Sequence, residues 1–311
     1  RSFSPMAQAR ALWALVRLIR RERPDIVHAH MPISGLLARL AAWLCGVPCV
    51  AYTCHGFLFN QPGSGARRLL ALVLEWLAGR ITDTYLTVSH EEARDARRLG
   101  IHPHATAIGN GRDGATFRPD PLMRRRLRAE LGAGAGDVVI LAVSRLVRHK
   151  GYPELLAAMR DVPDAVLWIV GERLPTDHGP DMTQLMVAAQ ADLGARLRCL
   201  GYRADVADIM AAADIFVLPS HFEGLPMTVI EAMLCGLPVV GSDIRGIREQ
   251  IVTGRTGYLV PPANAVALAA ALGRLARSAD LRRTMGAAGR ARALDLFSQD
   301  AVLARTCALL V

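Results

Sequence analysis

Two carboxylates and two cations in this sequence are spaced to act on one anion. Glu223 stands in the loop after an apolar strand at residues 215–218, and Glu231 lies about one turn into a helix that opens at residues 226–228. At the carboxyl edge of a parallel sheet both can face one crevice, the place where such sheets bind ligands. The helix N-terminus between them offers backbone N–H groups and the positive end of a dipole, a setting for a phosphate or diphosphate. A second loop, S-R-L-V-R-H-K-G after the strand at 138–143, brings Arg145 and Lys150 to the same edge. Arginine grips a diphosphate bidentately, and lysine adds a compact point charge. Lys150 is also the single lysine among 37 basic residues, which marks a position that needs an ammonium. The plain alternative leaves Glu223 as a solvated loop residue, Glu231 as an exposed helix position and the lone lysine as chance.

Those loops need a scaffold of alternating strands and helices. From residue 25 the chain reads strand 25–29, helix 34–45, strand 48–53, helix 66–77, strand 84–88, a helix capped by Ser89 with Glu92, and strand 105–108. His55, in T-C-H-G-F after the strand at 48–53, is either a turn residue or a ligand-facing one. A glycine-rich exit, I-G-N-G-R-D-G-A-T-F-R-P, follows strand 105–108. The alternation restarts with strands at 138–143, 165–170, 196–200, 215–218, 238–241 and 257–260. This order gives the α/β class with two doubly wound domains. The expected boundaries are a first domain at 1–119, an arginine- and glycine-rich linker at 120–137, a second domain at 138–297, and a C-terminal helix at 298–311 that packs back on the first domain.

Composition narrows the function. With 311 residues and 52% apolar content, the chain can fill two cores. Arg39 interrupts the apolar stretch 36–50 and Glu75 interrupts 69–77, so no run is long enough to span a bilayer. The six cysteines, at 45, 49, 54, 199, 235 and 307, show no C-x-x-C pair and read as small buried apolar residues in a reducing compartment, with no metal site. The formal charge of +9 fits nucleic acid, an anionic membrane face or anionic substrates. Nucleic acid is disfavoured, because aromatics are 5% and no basic stripe is interleaved with them. Residues 9–23 form an amphipathic helix, with Leu12, Leu15, Val16 and Ile19 on one face and Arg10, Arg17, Arg20 and Arg21 around it; it is either a peripheral scaffold helix or a membrane-surface one. Neither Gly-Lys-Ser/Thr nor G-x-G-x-x-G opens a domain, which disfavours ATP hydrolysis and NAD chemistry.

Taken in order, N-G-R-D-G-A-T-F-R-P, S-R-L-x-x-x-K-G, G-Y-R-A-D-V-A-D-I-M-A-A-A-D and E-G-L-P-M-T-V-I-E-A-M-L-C-G-L-P-V-V resemble the retaining nucleotide-sugar glycosyltransferases of family 4. The resemblance covers nearly the whole chain beyond Pro24, and T-C-H-G-F-L-F with G-S-D-I-R-G-I-R-E is similar to the subgroup that builds capsular and exopolysaccharide units on lipid carriers. It implies the GT-B fold, two Rossmann-like domains facing each other across a cleft, and metal-independent transfer with no cofactor, the nucleotide-sugar being a substrate. The implied catalytic set is His55, Arg145, Lys150 and Glu223. Arg145 and Lys150 would bind the donor diphosphate, Glu231 the ribose, and Glu223 with the amides of Gly224 and Leu225, ahead of Pro226, the sugar hydroxyls. Tyr202 and Arg203 would border the base, and His55 would approach from the first domain. Such roles fit the physics, since cations and a helix N-terminus stabilise charge on a leaving diphosphate. The implied partners are a UDP-sugar, a glycan or polyprenyl-diphosphate-linked acceptor, and an anionic membrane met peripherally at its cytoplasmic face. Other readings are an incomplete or non-catalytic nucleotide-sugar-binding module, or a UDP-sugar 2-epimerase of the same fold. Family members open with a methionine, a strand and a glycine-rich loop; this sequence opens on Arg1, so a truncated first domain is expected.

Overall fold

The structure is a computed structural model, and it describes residues 4–61, 63–134, 136–175, 177 and 179–310. The chain divides into two compact units, Arg1–Asn110 with Val302–Val311, and Gly111–Ala301. No described helix is long and apolar enough to cross a membrane.

The first unit runs α1 (Pro5–Glu22), β1 (Ile26–His30), α2 (Pro32–Leu44), β2 (Cys49–Cys54), α3 (Gly65–Gly79), β3 (Thr84–Thr87), α4 (His90–Arg98) and β4 (Thr106–Ala107). Its sheet is parallel with order β1-β2-β3-β4. Each strand steps the same way, so right-handed crossovers lay α2 and α3 side by side on one face, and α1 packs against α2. The two charged residues that break the apolar runs meet inside this layer. Arg39 Nη1 donates to Glu75 Oε1 at 2.9 Å, and the Tyr85 hydroxyl donates to the same oxygen at 2.8 Å. The Arg39 guanidinium also lies 3.7 Å from the centroid of the Tyr52 ring. Ser89 caps α4 by accepting from the Glu92 N–H at 3.1 Å.

The second unit contains α5 (Pro121–Glu130), β5 (Val138–Val143), α6 (Tyr152–Ala158), β6 (Ala165–Val170), α7 (Thr183–Leu193), β7 (Leu197–Cys199), α8 (Val206–Ala212), β8 (Ile215–Leu218), α9 (Met227–Leu234), β9 (Val239–Ser242), α10 (Ile247–Gln250), β10 (Gly257–Val260), α11 (Ala265–Ala276) and α12 (Ala279–Leu296). The last helix, α13 (Gln299–Leu310), closes the chain, and its residues from Val302 group with the first unit. The second sheet is parallel, ordered β10-β9-β8-β5-β6-β7. All six residues of β5 are buried, as a central strand covered on both faces requires.

The expected linker at 120–137 is corrected. Asp120 caps α5 by accepting from the N–H groups of Leu122 and Met123, and the helix belongs to the second unit, whose boundary falls between Asn110 and Gly111. The arginines that looked like linker composition are pins: Arg124 and Arg128 grip the two oxygens of Asp214 at 2.6 and 3.0 Å. The cysteines are corrected as well. Cys54 and Cys235 are buried, Cys45 and Cys49 are half-buried, and Cys199 and Cys307 are exposed.

Candidate functional site

In the second sheet the chain leaves β5 outward to β6 and β7, then returns to β8 on the other flank of β5. The loops after β5 and β8 therefore diverge from adjacent strands and leave the switch-point crevice of an open parallel sheet between them. Residues 144–151 and 219–226 are those loops.

Backbone and ring contacts stitch the two together. The His221 N–H donates to the His149 carbonyl at 2.8 Å, and the His149 and Phe222 rings stack with centroids 4.5 Å apart. Gly151 has φ of +78°, and a Cβ there would stand 2.0 Å from the Pro219 carbonyl oxygen, so glycine alone permits this approach. The consequence is chemical. Lys150 Nζ donates to Glu223 Oε1 at 2.6 Å, and the Ser220 hydroxyl donates to the same oxygen at 2.7 Å. The Glu223 side chain is only 12% exposed, which removes the reading of a solvated loop residue. A charge-assisted bond in this partly desolvated setting holds the ammonium in one place.

Directly beyond, α9 starts with Pro226 as N-cap and no side-chain cap, leaving its positive end to face the crevice. Gly246, at φ of +76°, packs so tightly on Gly224 that a Cβ would meet its carbonyl oxygen at 1.5 Å, which fixes the backbone ahead of α9. Glu231 is 5% exposed, so the exposed-helix reading also fails. Its Oε1 accepts from Arg112 Nε at 2.5 Å. Burial raises the Glu231 pKa above the usual carboxylate range, and the Arg112 charge opposes that rise.

The remaining residues named from sequence are placed differently from one another. Arg145 leaves β5 and pairs with Asp177, whose other oxygen accepts from the Leu174 N–H at 2.9 Å. Tyr202 is 72% exposed beyond β7. Arg203 is held bidentately by Asp205 at 2.8 and 2.6 Å, with Glu130 at 3.8 Å. A cavity of about 320 Å³ is lined in part by Leu146, Arg173, Met182, Met186 and Cys199, and neither Tyr202 nor Arg203 lines it. His55 belongs to the first unit. Its Nε2 lies 3.0 Å from His30 Nδ1, and His28 Nε2 lies 2.7 Å from the Thr53 hydroxyl. Burial lowers the pKa of all three imidazoles, His28 to about 4 with the His30 and His55 charges adding to the effect. At neutral pH this is a cluster of uncharged rings. Among the described residues no group of three or more His, Cys, Asp or Glu is arranged to hold a metal ion.

Sequence reasoning missed Arg112, Asp177, Ser220 and His30 as partners of the site residues. Arg112 stood in the quoted N-G-R-D-G, and His30 in H-A-H-M-P, yet neither carries a spacing signal that points to a carboxylate or imidazole so far along the chain.

Comparison with known proteins gives this geometry a family. Residues 123–292 match the family described as "Glycosyl transferases group 1", and residues 1–111 match "Glycosyl transferase 4-like domain". The chain belongs to the group 1 glycosyltransferases. This glycosyltransferase is 34% identical over 275 residues to the Escherichia coli UDP-Gal:alpha-D-GlcNAc-diphosphoundecaprenol alpha-1,3-galactosyltransferase, covering 84% of this chain and 68% of that one. It is 24% identical over 310 residues to the Staphylococcus aureus capsular polysaccharide biosynthesis glycosyltransferase CapM, covering 97% and 80%. The crystal structure of Anabaena HepE in complex with UDP superposes with a TM-score of 0.85 at 24% identity, covering 96% of this chain and 81% of that one, which establishes the shared GT-B fold.

Proposed function

We propose that this glycosyltransferase moves a sugar, with retention and without a metal, from a UDP-sugar to a polyprenyl-diphosphate-linked acceptor in the assembly of a cell-surface polysaccharide, working at the cytoplasmic face of a membrane. The observation that carries the reading is the triplet Lys150, Glu223 and Ser220 at the switch point, beside the uncapped start of α9.

Breaking the bond between the sugar and the diphosphate builds negative charge on the leaving oxygens. Fixed cations and a helix N-terminus lower that barrier because they need no reorganisation as the charge appears. Lys150, held by Glu223, is the fixed ammonium, and Arg145 adds a bidentate guanidinium once the diphosphate competes with Asp177 for it. These cations supply the charge a metal would otherwise bring. Glu231 takes the ribose hydroxyls, and the exposed Tyr202 with Arg203 borders the base. Glu223 already accepts two hydrogen bonds, which suits a sugar-positioning carboxylate more than a covalent nucleophile, and the amides of Gly224 and Leu225 share that task. In the first unit, His55 is the proposed participant, as a neutral imidazole able to accept a hydroxyl proton or donate to an oxygen.

The UDP donor draws on the names of the galactosyltransferase relative and the HepE complex, and the lipid-linked acceptor on that same relative. The test is product analysis with radiolabelled UDP-galactose and UDP-glucose, a short polyprenyl-diphosphate sugar acceptor, and chelator. An α-linked product formed undiminished in chelator is expected. Epimerised nucleotide sugar, a β-linked product or dependence on added metal would overturn the reading.

A further inference from the structure

Strand β1 ends in two histidines that share one face. Ala29 packs with Tyr52 and Cys54 in a buried cluster, and because successive side chains of a strand alternate, His28 and His30 point to the other face of the sheet. In the parallel pairing of β1 with β2, His30 stands opposite Thr53, two residues ahead of His55. The register thus gathers four polar side chains from two neighbouring strands and the loop that follows one of them. His28 Nε2 lies 2.7 Å from the Thr53 hydroxyl, the His28 and His30 ring centroids are 4.2 Å apart, and His30 Nδ1 meets His55 Nε2 at 3.0 Å.

The backbone beyond His30 is held as firmly as the rings. Met31 has φ of +66° and ψ of 149°, a conformation open to glycine and costly for any side chain, and it is the N-cap of α2 ahead of Pro32. The turn is fastened from the helix side: the Gly35 N–H donates to the Met31 carbonyl at 2.8 Å, and the Ser34 hydroxyl donates to the His30 carbonyl at 3.1 Å. Strain of this kind persists only where the surroundings impose it, and it clusters at functional sites. Here it ends β1 within one residue and leaves His30 at the rim of the sheet, where both His30 and His55 are open to solvent.

A hydrogen bond between two imidazoles has a direction. Both rings are uncharged at neutral pH, so each has one N–H and one lone pair to place. If His30 Nδ1 donated, both rings would carry their proton on Nδ1, the less favoured form of a free imidazole, and His55 would keep no lone pair for a ligand. If His55 Nε2 donates, both rings hold the commoner Nε2–H form and the lone pair on His55 Nδ1 stays available. Among the described residues, His30 is the hydrogen-bond partner of the His55 ring. We propose that His30 is a positioning residue whose Nδ1 accepts the His55 Nε2–H, fixing the tautomer and aim of His55 so that its Nδ1 lone pair receives the hydrogen bond of an acceptor hydroxyl. The identity of that hydroxyl rests on the reaction proposed above, whereas the direction of the bond does not.

The full chain, isotope-labelled at its histidine ring nitrogens, is compared by NMR at neutral pH, without donor or acceptor, with His30→Asn and His30→Leu. A ring N–H at an exposed site is seen only when a hydrogen bond slows its exchange with water, and couplings to the carbon-bound ring protons assign it to one nitrogen of one ring. Wild type should show the His55 Nε2–H; His30→Asn should keep it, because Oδ1 takes the place of Nδ1 as acceptor, and His30→Leu should lose it. In sugar transfer, His30→Leu should lower kcat/KM for the acceptor at least about tenfold with donor KM unchanged, and His30→Asn should recover most of that loss. Hydrogen exchange of β1 and β2 amides checks that both variants keep the first unit folded. A resonance on His30 Nδ1, or none from either ring in wild type, would overturn the proposal. So would transfer by His30→Leu at the wild-type rate, or an equal loss in the Asn and Leu variants, which would make His30 plain scaffold. If wild type transfers no sugar at all, the proposed reaction alone is at fault, and the ring resonance still decides which imidazole donates.

Discussion

The two units use their charged residues in opposite ways. At the switch point of the second unit, Lys150 with Glu223, Arg145 with Asp177 and Arg112 with Glu231 form ion pairs, whose partners a ligand would exchange in the proposed reaction. In the first unit the Arg39–Glu75 pair is sealed inside, the three imidazoles of the edge are neutral, and the outer helix face is apolar. In the proposed reaction the charged edge meets an anion and the neutral one an acceptor hydroxyl.

The sealed pair offers the largest way to break that contrast. Arg39 is fully buried, so Glu75→Ala leaves a guanidinium without its counter-charge, and the first unit should lose on the order of 3–5 kcal/mol. Hydrogen exchange separates the units: amides of β2 and α3 should lose protection while those of β5 and β6 do not. R39M/E75L, which removes both charges, should restore much of the loss. Equal protection in Glu75→Ala and wild type would mean that the pair does not hold this unit together.

Lys150 comes next. Lys150→Ala should lower kcat by about 100-fold or more with a smaller change in donor KM, because the ammonium meets charge that develops only as the diphosphate leaves. Lys150→Arg should recover the rate only in part, since a planar guanidinium does not reproduce the compact ammonium that Glu223 holds at 2.6 Å. A variant that kept its rate but bound the donor weakly would make Lys150 a ground-state anchor.

The relative legibility of the two regions follows from the same contrast. Lys150, Glu223 and Glu231 were readable because loops after parallel strands have a known place, and the order of the strands decides which loops meet. The buried state of Glu223 and Glu231 was not readable: an acidic residue in a loop or helix looks solvated until Ser220, Lys150 or Arg112 is seen against it. Arg39 and Glu75 read only as interruptions of apolar runs, because a pair 36 residues apart leaves no periodic trace. The run Arg124 to Arg128 read as linker for the same reason, its partner Asp214 being about ninety positions on. The strand alternation was legible almost throughout, and the edge strands Thr106–Ala107 and Leu197–Cys199 were the most overestimated, as edge strands with few partners are.

Arg112 tests whether the exchangeable pairs of the second unit also tune the site. Burial already raises the pKa of Glu231, and Arg112 is the charge that restrains it. Arg112→Leu should therefore push that pKa higher still, so that the carboxylate protonates, and turns one oxygen from acceptor to donor towards the ribose, at a pH where wild type remains ionised. Donor KM is expected to rise about tenfold near neutral pH, and the acid limb of kcat/KM should move upward in pH. Arg112→Lys should hold the limb nearer its original position. An unchanged limb in Arg112→Leu would show that Glu231 is governed by other groups, and unchanged donor affinity in Glu231→Gln would remove the ribose role itself.

The smallest effect belongs to the imidazoles of the first unit, and it appears only in acid. His28 is pushed down to about 4 from an ordinary 6.5, chiefly by burial and then by the charges on His30 and His55. Folded, it stays neutral across that interval, whereas the unfolded chain takes up a proton as the pH falls below 6.5. Its contribution is therefore whole above the unfolded value and drains away as pH falls through the interval toward 4, with His30 and His55 acting in the same direction. All three rings keep substantial contact with solvent, which screens the effect and makes it the weakest of the series. Opening energies of β1 and β2 amides, corrected for intrinsic exchange, should be lower at pH 5 than at pH 7.5 by an amount that His28→Gln reduces. Because Gln can keep the hydrogen bond to the Thr53 hydroxyl, the variant isolates the proton from the contact. Equal opening energies at both pH values would mean that these rings accept protons in place, and the first unit would then be as charged as the second under mildly acid conditions.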